Sequence, residues 1–356
     1  MKYLNCCSKK DISIDDVTIP RIDENEVLIK TIFCGLCITD VLKVIDDEVK
    51  KPTKLGHEVV GVVDKVGENV KNVKKDDLVA LYHRIPCFKC NYCLHEKYSM
   101  CRHARETNFD PQGFSEYIRL SREHVQHNLF IIEDKSNLKN AVFTEPVATC
   151  IRAIESIPLL KKDKVMVVGC GTMGTIMLKL LNYYGIDALA VDIDDEKLKF
   201  AEGFCGAQTL NSKGSDSKEK IKMFAPQGLD AAILTITNSE TVELTISLLR
   251  EGGYIQIFAG PLKEKRIEVD FDRLYKKEIC IFSSYSSYPE VNRQSFDLLM
   301  ESKSINLDFT PLISYILPVE RFMEGINLAL SQKYYKILFY MNEELLKKYF
   351  NKDLVL

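Results

Sequence analysis

The spacing of hydrophobic positions changes near residue 150. Before it, short β-branched runs at 27–33, 59–63 and 78–82 are separated by Gly, Asp, Asn and Pro, as in a small β-barrel or sandwich. From about Lys164 the pattern becomes an apolar strand, a glycine-rich turn, an amphipathic helix and a second strand ending at Asp192. This order predicts a βαβ unit.

The alternation of helix and strand continues beyond that unit. The predicted elements are a helix at 194–203, a strand at 229–235, a helix at 240–250, a strand at 254–259, helices at 291–302 and 318–331, and a strand at 335–340. The first four of these are typical of a doubly wound parallel sheet.

The length of the chain favours two domains. With 356 residues it exceeds the roughly 250–300 at which a single hydrophobic core stops growing. We predict one domain from residues 1–150 together with 286–356, and a second, α/β domain from residues 151–285. The role of the Lys- and Glu-rich extension at 343–356 is left open by the sequence.

Charge and composition exclude several kinds of partner. The chain has 48 Lys and Arg against 51 Asp and Glu, a formal charge of −3, and its basic residues form no long cluster. We therefore expect neither nucleic acid nor a membrane as partner. The N-terminus turns charged before an apolar run of signal-peptide length forms, so we predict a cytoplasmic protein.

Four of the twelve cysteines lie close together in the sequence. Cys87, Cys90, Cys93 and Cys101 follow the spacing C-x₂-C-x₂-C-x₇-C, which lets four thiolates close a tetrahedron around one zinc. Such a site has no open position, so we predict a structural zinc that replaces a missing core in this lobe. A loop of reduced cysteines and an iron–sulfur cluster are the alternatives.

A glycine-rich turn follows the apolar strand at 165–168. Its sequence, Gly-Cys-Gly-Thr-Met-Gly, fits the dinucleotide-binding fingerprint G-x-G-x-x-G, and a helical pattern comes after it. The acidic end of the next strand would bind ribose hydroxyls and repel a 2′-phosphate, which favours NAD over NADP. The alternative is a packing turn that binds no nucleotide. The predicted coenzyme contacts are Gly169, Gly171, Thr172, Met173, Gly174 and Asp192.

A dispersed set of residues could form a second metal site. Taken singly, Cys37, His57 and Glu145 could be a buried cysteine, a satisfied histidine and a helix-capping carboxylate. Together they supply one thiolate, one imidazole and one carboxylate. Those are the ligand types of a catalytic zinc that keeps its fourth position for water or substrate.

The order of these motifs resembles that of the zinc-containing medium-chain dehydrogenases, and within them the sorbitol and galactitol-phosphate branch of the polyol dehydrogenases. The resemblance extends from the strand before Cys37 to the strand near Tyr340. It implies an α/β protein in which a GroES-like β-barrel catalytic domain is interrupted by a Rossmann coenzyme domain. It also implies two Zn²⁺ per chain, NAD as coenzyme, an active site between the domains, and a homodimer or homotetramer.

The resemblance also implies ligands for the catalytic zinc. Cys37 and His57 match two of them, and Glu145 matches the third position, which the polyol branch fills with glutamate. Glu58 resembles a neighbouring carboxylate that lies close to the metal and ligates it in some states. Cys150 is a rival for the third position.

Two further residues match catalytic positions of the family. Thr39 matches the hydroxyl that relays the substrate proton, and Asp40 matches a carboxylate that orients the histidine ligand. The implied reaction is hydride transfer to NAD from a secondary hydroxyl of a polyol, cyclitol or sugar alcohol, free or phosphorylated. The alternatives are a threonine or secondary-alcohol dehydrogenase of the same fold and a nucleotide-binding relative without catalysis.

A phosphorylated substrate would need several cations that converge on the active site, which the sequence cannot show. The candidates are Lys43, Arg84, Arg105 and Arg119. For the segment 82–84, exposed packing is favoured over substrate binding.

Overall fold

The protein is described by a computed structural model that covers residues 1–8, 11–46, 52–214, 217–260 and 266–350. It forms two compact units, Met1–Ala148 with Ser287–Leu356, and Thr149–Ser286. Within these ranges, no helix is both long and apolar enough to cross a membrane. Residues 351–356 of the C-terminal extension lie outside the described residues.

The strands and helices of the described ranges are numbered in chain order. The strands are β1 (Lys2–Ser8), β2 (Asp11–Asp16), β3 (Val27–Gly35), β4 (Glu58–Val66), β5 (Leu78–Leu81), β6 (Tyr117–Leu120), β7 (Leu129–Ile131), β8 (Lys164–Val168), β9 (Asp187–Asp192), β10 (Gln208–Asn211), β11 (Leu229–Leu234), β12 (Leu249–Ile257), β13 (Cys280–Ser283), β14 (Ile313–Pro318) and β15 (Lys336–Tyr340). The helices are α1 (Ile38–Ile45), α2 (Asn91–Leu94), α3 (Arg102–Glu106), α4 (Arg122–His127), α5 (Leu138–Ala141), α6 (Thr144–Glu155), α7 (Thr172–Tyr183), α8 (Asp195–Cys205), α9 (Ser217–Phe224), α10 (Ser239–Leu248), α11 (Phe271–Lys276), α12 (Pro289–Met300), α13 (Ser302–Ile305), α14 (Phe322–Leu330) and α15 (Glu343–Tyr349). Short 3₁₀ turns lie at Tyr98–Met100, Lys135–Asn137, Thr310–Leu312 and Val319–Arg321.

The first unit is built on a sheet with the strand order β14-β15-β3-β4-β5-β7, and β6 pairs with β3. Its central strands are buried on both faces, which explains their nearly continuous β-branched sequences. The predicted strands at 27–33, 59–63 and 78–82 correspond to β3, β4 and β5. Strand β15 comes from the C-terminal segment and pairs antiparallel with β3, so distant parts of the chain complete one sheet.

The second unit is a parallel sheet with the order β10-β9-β8-β11-β12-β13. The chain starts in the middle, winds to one edge, and returns to extend the sheet from β8 to the other edge. This is the order of a dinucleotide-binding doubly wound fold. It places the turns after β8 and β11 at the point where the winding reverses, the usual ligand site of such sheets.

Some predicted boundaries were wrong. The helix predicted at 240–250 ends at Leu248, and β12 begins at Leu249 rather than at 254. The reason is pairing across the sheet: Leu249 pairs with Leu229 of β11, and Arg250 donates a 2.6 Å bond to Asp230. Similarly, the helix predicted at 318–331 starts only at Phe322, because β14 continues through Pro318 and a 3₁₀ turn occupies Val319–Arg321.

The C-terminal helix α15 packs into the first unit. Asn342 caps it by accepting a 3.0 Å hydrogen bond from the backbone N–H of Leu345. Leu345 and Leu346 are buried in the same core as Phe33 of β3. The described part of the extension is therefore anchored by an apolar face.

Candidate active site

The candidate catalytic cluster forms where β3 and β4 pair. Donor atoms of Cys37, His57 and Glu58 all lie within 4.8 Å of one another. Cys37 follows the end of β3 and precedes α1, whereas His57 and Glu58 stand at the start of β4. The antiparallel register pairs Gly35 with Glu58 and so brings the two segments together.

Asp40 fixes the geometry around the cluster. It is fully buried, and its carboxylate accepts hydrogen bonds from the backbone N–H groups of Gly56 at 2.9 Å and Cys37 at 3.3 Å. Its Oδ1 lies 3.6 Å from Nδ1 of His57. Although burial opposes ionisation, the charge of His57 lowers the pKa of Asp40, so the carboxylate is ionised. An ionised carboxylate in this position orients the imidazole.

Glu145 lies in the first turn of α6, beside the cluster but outside the set of donors within 4.8 Å. Its side chain is buried, and this burial raises its pKa; the charge of His57 opposes the shift and that of Glu58 reinforces it. Cys150, the rival ligand, instead points its sulfur at the backbone oxygen of Met173, 3.7 Å away. Among the described residues, Glu58 therefore belongs to the donor set, whereas Glu145, the predicted third ligand, lies outside it.

Lys336 was missed by the sequence analysis. It is the first residue of β15 and is only 4% exposed, and its Nζ donates to Glu58 Oε2 at 2.7 Å and Oε1 at 2.9 Å. Burial lowers the pKa of this amine, but the charge and hydrogen bonds of Glu58, together with the nearby Cys37 and Glu145, raise it overall. A lysine at the start of an apolar strand was the available signal. Its partner could not be read from the sequence, because the two residues are 278 positions apart.

Two glycines leave room for the cluster. A Cβ on Gly35 would lie 2.1 Å from Oε2 of Glu58. Gly56 has φ +80, and a Cβ there would lie 2.8 Å from the sulfur of Cys34. Cys34 itself is buried and is not part of the donor set.

The segment 82–84 is mostly buried, so the prediction that favoured exposed packing was wrong. Tyr82 donates a 2.9 Å hydrogen bond to the carbonyl of Ser287, and the rings of His83 and His57 have centroids 5.0 Å apart. Arg84 donates to Nε2 of His83 at 3.1 Å. Because an arginine can only donate, His83 accepts at Nε2 and is neutral. Burial, helped by the charge of His57, lowers the pKa of His83 well below its usual value.

The four candidate phosphate-binding cations do not all converge. Arg119 pairs with Asp110 at 2.6 Å, and Arg105 donates to the carbonyl of Ser99 in the cysteine lobe. Lys43 and Arg84, by contrast, lie near enough to His83 for their charges to lower its pKa, after burial and the charge of His57. Only these two of the four are therefore placed near the donor cluster.

The four cysteines of the lobe come together as the spacing predicts. Sulfur atoms of Cys87, Cys90, Cys93 and Cys101 lie within 4.8 Å of one another, and none is in a disulfide. A backbone hydrogen bond from Lys89 is the main cause that lowers the pKa of Cys87 to about 6, whereas burial raises that of Cys93 to about 12. A cation at the centre would let all four sulfurs ionise together.

The lobe has almost no other core. Apart from the cysteines, its hydrophobic cluster holds buried Ala104 and partly buried Tyr98. So few apolar groups cannot stabilise a loop of this length, and the sulfur cluster is suited to a structural metal.

In the second unit, the glycine-rich turn joins β8 to α7. Gly169 has φ +95, and a Cβ on Gly174 would lie 1.8 Å from the carbonyl oxygen of Gly169, so both must be glycine. A Cβ on Gly171 would meet no atom within 4 Å. Gly171 caps the start of α7, which opens with Thr172 and Met173. The turn thus has open space in front of a helix N-terminus, a favourable place for an anion.

Asp192 ends β9 beside this turn. Its Oδ2 accepts from the backbone N–H of Cys170 at 2.7 Å, and its Oδ1 accepts from Ile193 at 2.7 Å and Asp194 at 3.1 Å. The carboxylate is buried. Its bond to Cys170 holds it against the glycine-rich turn, beside which the sequence predicted it to lie.

Comparisons with known proteins agree with this architecture. Residues 23–129 match the alcohol dehydrogenase GroES-like domain, and residues 172–301 match the zinc-binding dehydrogenase family. Galactitol 1-phosphate 5-dehydrogenase of Escherichia coli is 26% identical over 328 residues, covering 89% of this chain and 92% of its own. L-threonine 3-dehydrogenase of Bacillus velezensis is 26% identical over 326 residues, with 89% and 91% covered.

The same likeness holds in three dimensions. The crystal structure of galactitol-1-phosphate dehydrogenase from Escherichia coli matches with a TM-score of 0.82 at 25% identity, covering 96% of this chain and 100% of that one. The predicted fold class, a GroES-like β-domain with a Rossmann-type parallel sheet, is confirmed. The chain belongs to the zinc-containing medium-chain dehydrogenases.

Proposed function

We propose that this protein is a zinc- and NAD-dependent dehydrogenase that oxidises a secondary hydroxyl of a polyol, cyclitol or sugar alcohol. The observation that carries the proposal is the donor cluster, in which a cysteine sulfur, an imidazole nitrogen and a carboxylate oxygen lie within 4.8 Å of one another. Cys37, His57 and Glu58 form its core, and Glu145 lies beside them.

The residues of the cluster fit a catalytic zinc. Cys37, His57 and Glu58, whose donor atoms lie within 4.8 Å of one another, would hold the ion, and Glu145 lies beside them. Bound there, zinc would lower the pKa of a coordinated hydroxyl and so ease the loss of hydride. Asp40 holds the imidazole in place, and Thr39, exposed in the first turn of α1, would pass the hydroxyl proton towards solvent.

The second zinc and the coenzyme have separate sites. The cysteine lobe would hold a structural zinc, since its four sulfurs leave no position for substrate. NAD would bind at the turn 169–174, with its pyrophosphate at the start of α7 and its adenosine ribose on Asp192. A homodimer or homotetramer and a cytoplasmic location are further proposals, which rest on likeness to the family and on composition.

The polyol class follows from the polar character of the site. A glutamate in place of a second cysteine makes the metal environment harder and more hydrated, which suits a hydroxylated substrate. Neutral His83 and the cations Lys43 and Arg84 add polar groups nearby. A relative named galactitol 1-phosphate 5-dehydrogenase supports the same class, with or without phosphate.

Threonine is the second candidate substrate. It also carries a secondary hydroxyl, and a relative named L-threonine 3-dehydrogenase matches at the same 26% identity. A nucleotide-binding relative without catalysis is disfavoured by the retention of Cys37, Thr39, His57 and Glu145.

The assay that tests the proposal is NADH formation by zinc-loaded protein. The panel contains sorbitol, xylitol, inositols, sugar-alcohol phosphates and threonine. We expect the highest kcat/KM with a polyol or its phosphate. A higher kcat/KM with threonine would move the assignment to the second candidate, and no turnover across the panel would contradict a dehydrogenase of this class.

We expect two glycine substitutions to separate folding from NAD binding. Gly174→Ala places a Cβ 1.8 Å from a backbone oxygen, so it should lower the stability of the protein by about 2 kcal/mol and abolish NAD binding. Gly171→Ala meets no protein atom within 4 Å, so its stability should change by no more than about 0.5 kcal/mol. Its added methyl would still occupy the space proposed for the pyrophosphate and weaken NAD binding.

Thermal unfolding and calorimetric titration with NAD measure the two effects. The Gly171→Ala variant is the decisive one, because its fold should be intact. Unchanged NAD affinity in that variant would show that the pyrophosphate does not approach this turn.

A further inference from the structure

We propose that His83 is a specificity-determining residue that makes the site prefer vicinal diols. Its Nδ1–H donates a hydrogen bond to a substrate hydroxyl on the carbon next to the one that is oxidised. The inference rests on the proposed function, and it names the class of hydroxylated substrate that the same site prefers.

A hydrogen bond from Arg84 determines which nitrogen of His83 carries the proton. Nε of Arg84 donates to Nε2 of His83 at 3.1 Å. An arginine can only donate, so Nε2 accepts, and the single N–H of the neutral ring is at Nδ1. The imidazole therefore presents one hydrogen-bond donor, on the side of the ring that Arg84 does not occupy.

This donor has no acceptor in the described part of the chain. His83 is only 7% exposed, and its Nδ1 is buried without a hydrogen-bond partner among the described residues. Buried polar groups in folded proteins are nearly always hydrogen-bonded, because a bond left unmade costs free energy. An unpaired donor next to a proposed active site therefore indicates a ligand that supplies the acceptor.

The surroundings of His83 favour a substrate hydroxyl over a trapped water as that acceptor. Three aromatic rings pack around the imidazole, with centroid distances of 5.0 Å to His57, 5.2 Å to Tyr82 and 6.1 Å to Phe109. The hydroxyl of Tyr82 already donates to the carbonyl of Ser287. A buried water needs several polar partners, and the faces of these rings offer few.

The contact between His83 and His57 indicates which hydroxyl is bound. His57 belongs to the donor set that would hold the zinc, and the hydroxyl to be oxidised would bind the metal itself. A donor beside a metal ligand is thus placed for the hydroxyl one carbon away, which in a vicinal diol lies close to the first. Because Nδ1 is closed to solvent in the resting structure, binding requires a small turn of the ring; hydrogen bonds in active sites often tighten only in the complex.

The test compares two alcohols that differ by one hydroxyl. Propane-1,2-diol has a hydroxyl next to its secondary alcohol, whereas propan-2-ol has the same carbon chain without it. With zinc-loaded protein and NAD, we expect a higher kcat/KM for the diol. In His83→Leu, which removes the donor, the ratio of the two kcat/KM values should fall by about 10-fold, the effect of losing one hydrogen bond.

Two further variants separate recognition from folding. His83→Asn keeps a donor, since its amide nitrogen can take the place of Nδ1, and it should retain most of the preference for the diol. His103→Leu is the matched control, because His103 is a partly exposed histidine that pairs with Glu123, and its ratio should be unchanged. If His83→Leu does not fold, His83→Phe, which keeps a flat ring without the donor, is measured in its place.

An unchanged ratio in a folded His83→Leu or His83→Phe variant would overturn the proposal, even if both kcat/KM values fell, because a structural role lowers them together. If the unmodified protein oxidises neither alcohol, the proposed function fails for these substrates, and binding decides the inference separately. Calorimetry of both alcohols with zinc-loaded protein and NADH needs no turnover. We expect tighter binding of the diol that is lost in His83→Leu, and no preference for the diol would reject the role of His83.

Discussion

Replacing Cys37 with alanine is expected to abolish oxidation of the preferred substrate. The change removes the only thiolate of the donor cluster, so the remaining groups would hold zinc weakly. The ion supplies several kcal/mol of charge stabilisation in the transition state, and a loss of about 4 kcal/mol corresponds to a fall of about 10³-fold in kcat/KM. Steady-state kinetics with NAD and metal analysis of the same sample measure both effects.

Cys34→Ala is the matched control for this experiment. Cys34 is buried three residues before Cys37, near the end of β3, but it is not part of the donor set. We expect this variant to lose some stability through the small cavity and to retain its zinc and its activity. Normal turnover by Cys37→Ala would mean that the cluster does not hold the catalytic metal.

Replacing Cys101 with serine is expected to remove the other zinc and to unfold the cysteine lobe. A structural zinc contributes apparent binding free energies of about 10 kcal/mol or more to small domains that lack a core. Here it would stabilise one lobe of a larger unit, so we expect the zinc content to fall from two to one per chain and the Tm to drop clearly. Metal analysis and thermal unfolding measure these effects, and limited proteolysis within 87–101 locates the change.

The exposed Cys280 offers a control of the same chemistry. It lies on the edge strand β13. Among the described residues, it belongs neither to the four-cysteine cluster nor to the donor set around Cys37. Cys280→Ser should keep two zinc ions and an unchanged Tm. If Cys101→Ser also kept both, the four-cysteine cluster would not be a metal site.

The two proposed metal sites use sulfur in different ways. In the lobe, four thiolates surround a point and leave no room for another ligand. In the catalytic cluster, one thiolate shares the space with an imidazole and carboxylates, and a buried lysine neutralises one of the carboxylates. The difference in ligand type therefore agrees with the proposed division into a structural and a catalytic role.

The sequence by itself determined features that depend on short spacing. The four-cysteine motif, the glycine-rich turn between β8 and α7, and the alternation of strands and helices all lie within a few tens of residues, where local geometry limits the possible structures. The fold class and the family followed from them. The exact ends of elements did not, because Leu249 belongs to β12 through its pairing with Leu229.

Only the tertiary structure decided how the dispersed residues meet. It brought Glu58 rather than Glu145 into the closest donor set, and it showed that Lys336, 278 positions away, is the partner of Glu58. Contacts of this kind depend on the pairing of β15 with β3, and strand pairing across such a distance leaves no local pattern in the sequence. Short sequence spacing therefore specifies the four-cysteine motif and the glycine-rich turn. Long-range strand pairing decides which charged groups surround the proposed catalytic metal.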